Sequence, residues 1–151
     1  MKLAEALILR SDISKRMEQV KARLLRNAKV QEGDQPAEDP SALLVEFDRL
    51  AAELQVLIAR INRTNSQTAF EGGSLSDALA VRDVLRLRQI AYRDLAAEAT
   101  VTQMIGTRSE VRFRPAINVA DIQKQADRLA QELRQLDSRI QEANWLTELK
   151  D

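Results

Sequence analysis

Two runs of aliphatic residues repeat every seven positions and leave this chain little choice of fold. Leu43, Phe47, Leu50, Leu54, Leu57 and Ile61 alternate spacings of four and three without a break. Ile122, Ala126, Leu129, Leu133, Leu136, Ile140 and Ala143 do the same. A period near 3.5 lines such residues along one side of an α-helix, and that side needs another helix to cover it. Leu3, Ala6, Ile13, Met17, Val20 and Leu24 form a further helical stripe with a skip at Arg10. The pattern predicts an all-α protein, an antiparallel helical bundle of long coiled-coil-like helices.

Punctuation sets the boundaries. Helices are expected at about 2–28, 40–65, 75–99 and 119–146, within a single helical domain spanning 1–151. Gly33, Pro36 and Pro40 mark a polar linker, with Asp39 placed as an N-cap and Pro40 as the first helical residue. Residues 65–74 read as a break centred on Gly72-Gly73, after which Ser74 suits a cap with Asp77 three residues on. Val101, Gln103 and Ile105 precede Gly106, and Val111 and Phe113 follow. That arrangement predicts a short β-hairpin at about 101–114, with an irregular loop as the alternative. A lone two-stranded ribbon is marginal in water, so it would pack on the helices or pair with another chain. Asn118 is a natural N-cap for the last helix, and Asp121 suits its first turn.

Charge selects neighbours. Residues 1–30 carry a net charge of +5 and residues 31–58 a net charge of −6. Joined by a short linker, the first two helices are expected to pair antiparallel, with opposite charge disfavouring self-pairing of either one. The third helix carries two apolar stripes: Ala78, Val81, Leu85, Tyr92 and Leu95, then Ala80, Val84, Leu87 and Ala91. A helix apolar on two sides sits centrally or faces both its own bundle and a second subunit.

Composition excludes several chemistries. The chain has no Cys and no His, which removes thiolate and imidazole metal ligands, cysteine nucleophiles and histidine acid–base catalysis. No Glu-x-x-Glu occurs, and the spacings among Asp77, Asp83 and Asp94 do not stack them on one helix face. No glycine-rich phosphate loop is present. No metal and no cofactor are therefore expected, and a non-enzymatic role is the first reading, with a binder of, or enzyme acting on, a small anionic ligand as the alternative. A net charge of zero argues against nucleic acid as the main partner. The apolar run from Leu3 to Leu9 is cut short by Arg10 and Asp12, and no stretch approaches the ~18 apolar residues of a membrane span. A cytoplasmic location is the expectation.

One polar segment stands apart. Arg60, Asn62, Arg63, Thr64 and Asn65 close the second helix with side chains poor for a helix interior and good for hydrogen bonding. They read either as a site for a small anionic ligand, with Arg82 and Arg86 of the third helix, or as a C-terminal capping network. Arg outnumbers Lys 17 to 6, which suits bidentate pairing, whether to an anion or in salt bridges between helices. For a homo-oligomer, the candidate interface residues are Tyr92, Val111, Phe113 and Trp145. A lone Trp this close to the end of the sequence either docks that end or anchors a partner.

The strings Ile61-Asn62-Arg63-Thr64-Asn65, Ser74–Leu85 and Leu136–Trp145 together resemble a small bacterial family of uncharacterised helical proteins, some of which are labelled septicolysin. The resemblance covers most of the chain. It directs attention to Asn62, Arg63, Thr64, Asn65, Asn144 and Trp145 as a shared site. The label itself implies a membrane-active cytolysin.

Overall fold

The computed structural model describes residues 1–101 and 111–151. It is an all-α fold of four long helices with one small ribbon: α1 Leu3–Arg26, α2 Pro40–Gln67, β1 Ala69–Phe70, β2 Gly73–Ser74, α3 Leu75–Ala99 and α4 Val119–Leu146. The bounds follow the periodicity closely. The Asp39 side chain accepts from the Ser41 N–H at 3.0 Å with Pro40 in the first turn. The Asn118 side chain accepts from the Asp121 N–H at 3.2 Å. The expected hairpin at about 101–114 falls largely on residues 102–110, outside the described residues.

The break at 65–74 is more ordered than its composition suggests. β1 and β2 pair antiparallel, Ala69 with Ser74 and Phe70 with Gly73. Glu71 and Gly72 have φ of 43° and 85°, so both central residues of the turn are left-handed. That is the type I′ pattern, whose twist matches that of two paired strands. The Leu75 N–H then donates to the Thr68 carbonyl at 2.9 Å, so the ribbon returns the chain to the end of α2.

Contacts divide the chain into two compact units, Met1–Leu75 with Glu142–Asp151, and Ser76–Gln141. In the first unit α1 and α2 pack as an antiparallel hairpin. The buried residues Ala6, Ile13, Val20 and Asn27 recur every seven positions on α1 and its cap, and Leu43, Leu50, Leu57 and Thr64 do so on α2. The alternate seam positions Met17, Leu24, Phe47 and Leu54 are only half-buried, so the seam is closed along one side and open along the other. Each fully buried aliphatic side chain contributes about 1.5–3 kcal/mol, and this line of residues stabilises the pair far more than its surface charges do.

The linker end of the hairpin is tied by one residue. Asn27 caps α1, donates from its amide to the Arg23 carbonyl at 2.9 Å and accepts the Glu38 N–H at 3.1 Å. This closes the linker onto the helix end and sets Glu38 against Arg23, with two contacts from the guanidinium Nε at 3.1 and 3.0 Å and a third from its terminal nitrogen. The second unit buries Ala78, Leu85 and Ala96 of α3 and Ala126, Leu129, Leu136 and Ile140 of α4. Arg82, early in α3, pairs at 3.7 Å with Asp137, late in α4, as expected of antiparallel neighbours.

Three carboxylates titrate below their ordinary value of 4.5, held by hydrogen bonds from Arg23 to Glu38, from Arg49 to Glu46 and from Lys2 to Glu148. A depressed value in the folded state stabilises the fold above 4.5, and the contribution disappears as pH falls through the lowered value. Thermal melts should therefore hold a constant Tm from neutrality to about pH 5 and fall below that. A Glu38→Gln, Glu46→Gln, Glu148→Gln variant should melt lower at neutral pH and lose less on acidification. An unchanged acid profile in that variant would show that these pairs do not couple stability to pH.

Candidate functional site

The polar end of α2 is a receptor for the last residues of the chain. Thr64 is completely buried. Its hydroxyl donates to the Arg60 carbonyl at 2.8 Å and accepts the Lys150 N–H at 2.9 Å. Arg60 donates to the Lys150 carbonyl at 3.2 Å and to the Asp151 carboxylate at 2.7 Å. The Lys150 ammonium reaches the Gln67 carbonyl at 3.4 Å.

The same tail is held on its other side by the start of α1. The Leu3 N–H donates to the Thr147 carbonyl and the Leu149 N–H to the Met1 carbonyl, both at 2.9 Å. Lys2 and Glu148 form an antiparallel bridge, reinforced by an ion pair at 2.6 Å. Leu149 is buried beneath this clamp. The anchor of the tail is thus Leu149 together with paired backbone. The Trp145 side chain is 53% exposed.

Each residue singled out from sequence has a definite place. Arg60 and Thr64 are engaged by the tail as described. Ser66 and Thr68 return hydroxyl bonds to the carbonyls of Arg63 and Thr64 at 2.9 and 2.7 Å, which is a capping arrangement. Asn62 and Arg63 are exposed and Asn65 is half-buried. Arg63 makes no ion pair among the described residues. It lines an open cleft of about 510 Å³ with Gln55, Val56, Ala59, Arg60 and Asp151. Arg82 and Arg86 belong to the second unit, where both reach Asp83, at 3.2 and 3.7 Å. Tyr92 is half-buried, while Val111 and Phe113 are exposed. Asn144 is buried at the end of α4.

The outer face of α3 is the other notable surface. Val81, Val84, Leu87 and Leu95 are 54, 55, 68 and 45% exposed. With Ala80 and Arg88, the first two line a shallow apolar groove of about 350 Å³. Three arginines of α3 have acidic partners on the same helix, since Arg82 and Arg86 meet Asp83 and Arg93 meets Asp94. Among the described residues no group of three or more carboxylates could hold a metal ion, and no helix is long and apolar enough to cross a membrane.

A clamped helical hairpin and a second helical unit with an exposed apolar stripe define an all-α protein. The chain belongs to a family of unknown function, DUF6847, whose model matches residues 10–149. It is similar to a functionally unknown conserved protein from Corynebacterium diphtheriae, solved by crystallography. The two are 46% identical over 99% of each chain, with a TM-score of 0.94. A search of curated proteins gives no match. Neither description that matches carries the septicolysin label.

Proposed function

We propose that the protein is a non-enzymatic helical interaction module whose copies associate into a homo-oligomer. The outer face of α3 carries the proposal: four large aliphatic side chains stand in solvent at spacings that keep them along one side of the helix. A soluble monomer rarely leaves a contiguous apolar stripe uncovered, because burying it against a partner is favourable. Phe113, 79% exposed, and Trp145 add aromatic side chains of the kind that anchor interfaces.

Sedimentation at micromolar concentration tests it. The chain should sediment as a defined assembly, and Val84→Glu should shift it toward the monomer while leaving its helical circular dichroism intact. A folded wild-type chain that stays monomeric throughout would remove the proposal.

A further inference from the structure

The α1/α2 hairpin leaves a second surface uncovered. On the side where its seam stays open, Met17, Phe47, Ala51, Leu54 and Ile58 are partly accessible, and Leu44 beside them is 51% exposed. Met17, Ala51, Leu54 and Ile58 line a groove of about 300 Å³ with little polar surface. On α2 these apolar residues continue past the seam positions to 44, 51 and 58, which makes a stripe wide enough for a third helix.

Charge identifies the occupant. The closed side of the hairpin uses its charges internally, with Arg23 on Glu38 and with Glu46 in the field of Arg16 and Arg23. On the open side, Arg10 and Lys21 share the face of Met17 by spacings of seven and four, and Asp48 stands three residues before Ala51. None of the three forms an ion pair among the described residues. A helix covering this groove must be acidic where it meets α1 and basic where it meets α2. The chain itself supplies both, because its first thirty residues are net +5 and residues 31–58 net −6.

We infer that the groove is covered by the same hairpin of a second copy, related by a two-fold axis parallel to the helices. That axis places α1 of each copy beside α2 of the other. Every adjacent pair in the resulting four-helix layer is antiparallel and opposite in charge, and the apolar stripes meet at its centre. Rotation about an axis along the helices leaves heights unchanged. Lys21 of one copy then faces Asp48 of the other, near the level at which Glu46 lies among Arg16 and Arg23 within one chain. A partner of any other kind would need the same alternation of charge, and self-association is the simplest way to meet it. The inference rests on the self-association proposed above and adds a second contact surface to it.

Sedimentation of the whole chain separates the two. Ile58→Glu, at a position 36% exposed, should weaken the assembly and leave the helices folded. Leu44→Glu, farther from the seam, repeats the test should Ile58→Glu fail to fold. Lys21→Glu and Asp48→Lys should each raise the dissociation constant about tenfold, from like charges met twice across the two-fold axis, and the double variant should return it toward wild type. Assemblies broken by Val84→Glu but untouched by Leu44→Glu, Ile58→Glu and the charge reversals would overturn this inference and leave the α3 contact standing. A monomeric wild type would overturn both.

Discussion

Leu50→Ala is expected to remove about 2–5 kcal/mol of stability from the hairpin unit. Leu50 is 1% exposed and sits in the middle of the seven-residue repeat of α2, so its lost methyl groups leave a cavity between two helices. Val45→Ala on the same helix, at a side chain 69% exposed, should change stability by no more than about 0.5 kcal/mol. The chain has two compact units, so a single unfolding curve can merge two events. Hydrogen exchange of the α1 and α2 amides reads the hairpin separately. Equal losses from the two substitutions would mean that the seven-residue line does not hold α1 against α2.

A chain ending at Glu148 is expected to lose about 3 kcal/mol or more from the same unit. The truncation removes the buried Leu149 side chain, the Leu149 N–H bond to the Met1 carbonyl, the Lys150 N–H bond to Thr64 and both contacts of Arg60. The surface ion pair of Arg60 with Asp151 adds little to this sum, because Asp151 is almost fully exposed and water screens the pair. Thr64→Val isolates one part of the loss. It keeps the shape of the side chain and leaves the Lys150 N–H without an acceptor, at a cost of about 1–3 kcal/mol. In the truncated chain the Leu3 amide should exchange quickly and trypsin should cleave at Arg60 and Arg63. Parental protection at Leu3 after truncation would show that the start of α1 is held without the tail.

Helix positions were legible because burial along one side repeats in sequence. Leu43 to Ile61 and Ile122 to Ala143 carry that repeat without interruption, and Asp39 and Asn118 announce their helix starts by local chemistry that needs no distant partner. The two-residue strands were not legible. Ala69–Phe70 and Gly73–Ser74 are too short to show alternation, and the turn between them depends on Glu71 accepting a left-handed conformation.

The polar end of α2 was conspicuous in sequence, but its partners were not. A Thr four residues after an Arg looks the same whether its hydroxyl only caps the helix or also receives a chain segment. What distinguishes Thr64 is Lys150, 86 positions away, and what occupies Arg60 is Asp151, 91 positions away. No local rule reaches that far. The exposed stripe of α3 was visible for the opposite reason, since Val84 and Leu87 lie off the buried line of the same helix.

The long span between Thr64 and the segment it receives also sets a clock on biosynthesis. At about 5–20 residues per second, a ribosome needs about 4–17 seconds to make the 86 positions between them. Throughout that interval the nascent hairpin exists without its latch, and the whole of residues 76–141 is made meanwhile. Until Leu149 arrives, the start of α1 lacks the backbone bond that it receives from that residue. A chain cut short before that codon would leave the Met1 carbonyl without its bond from the Leu149 N–H.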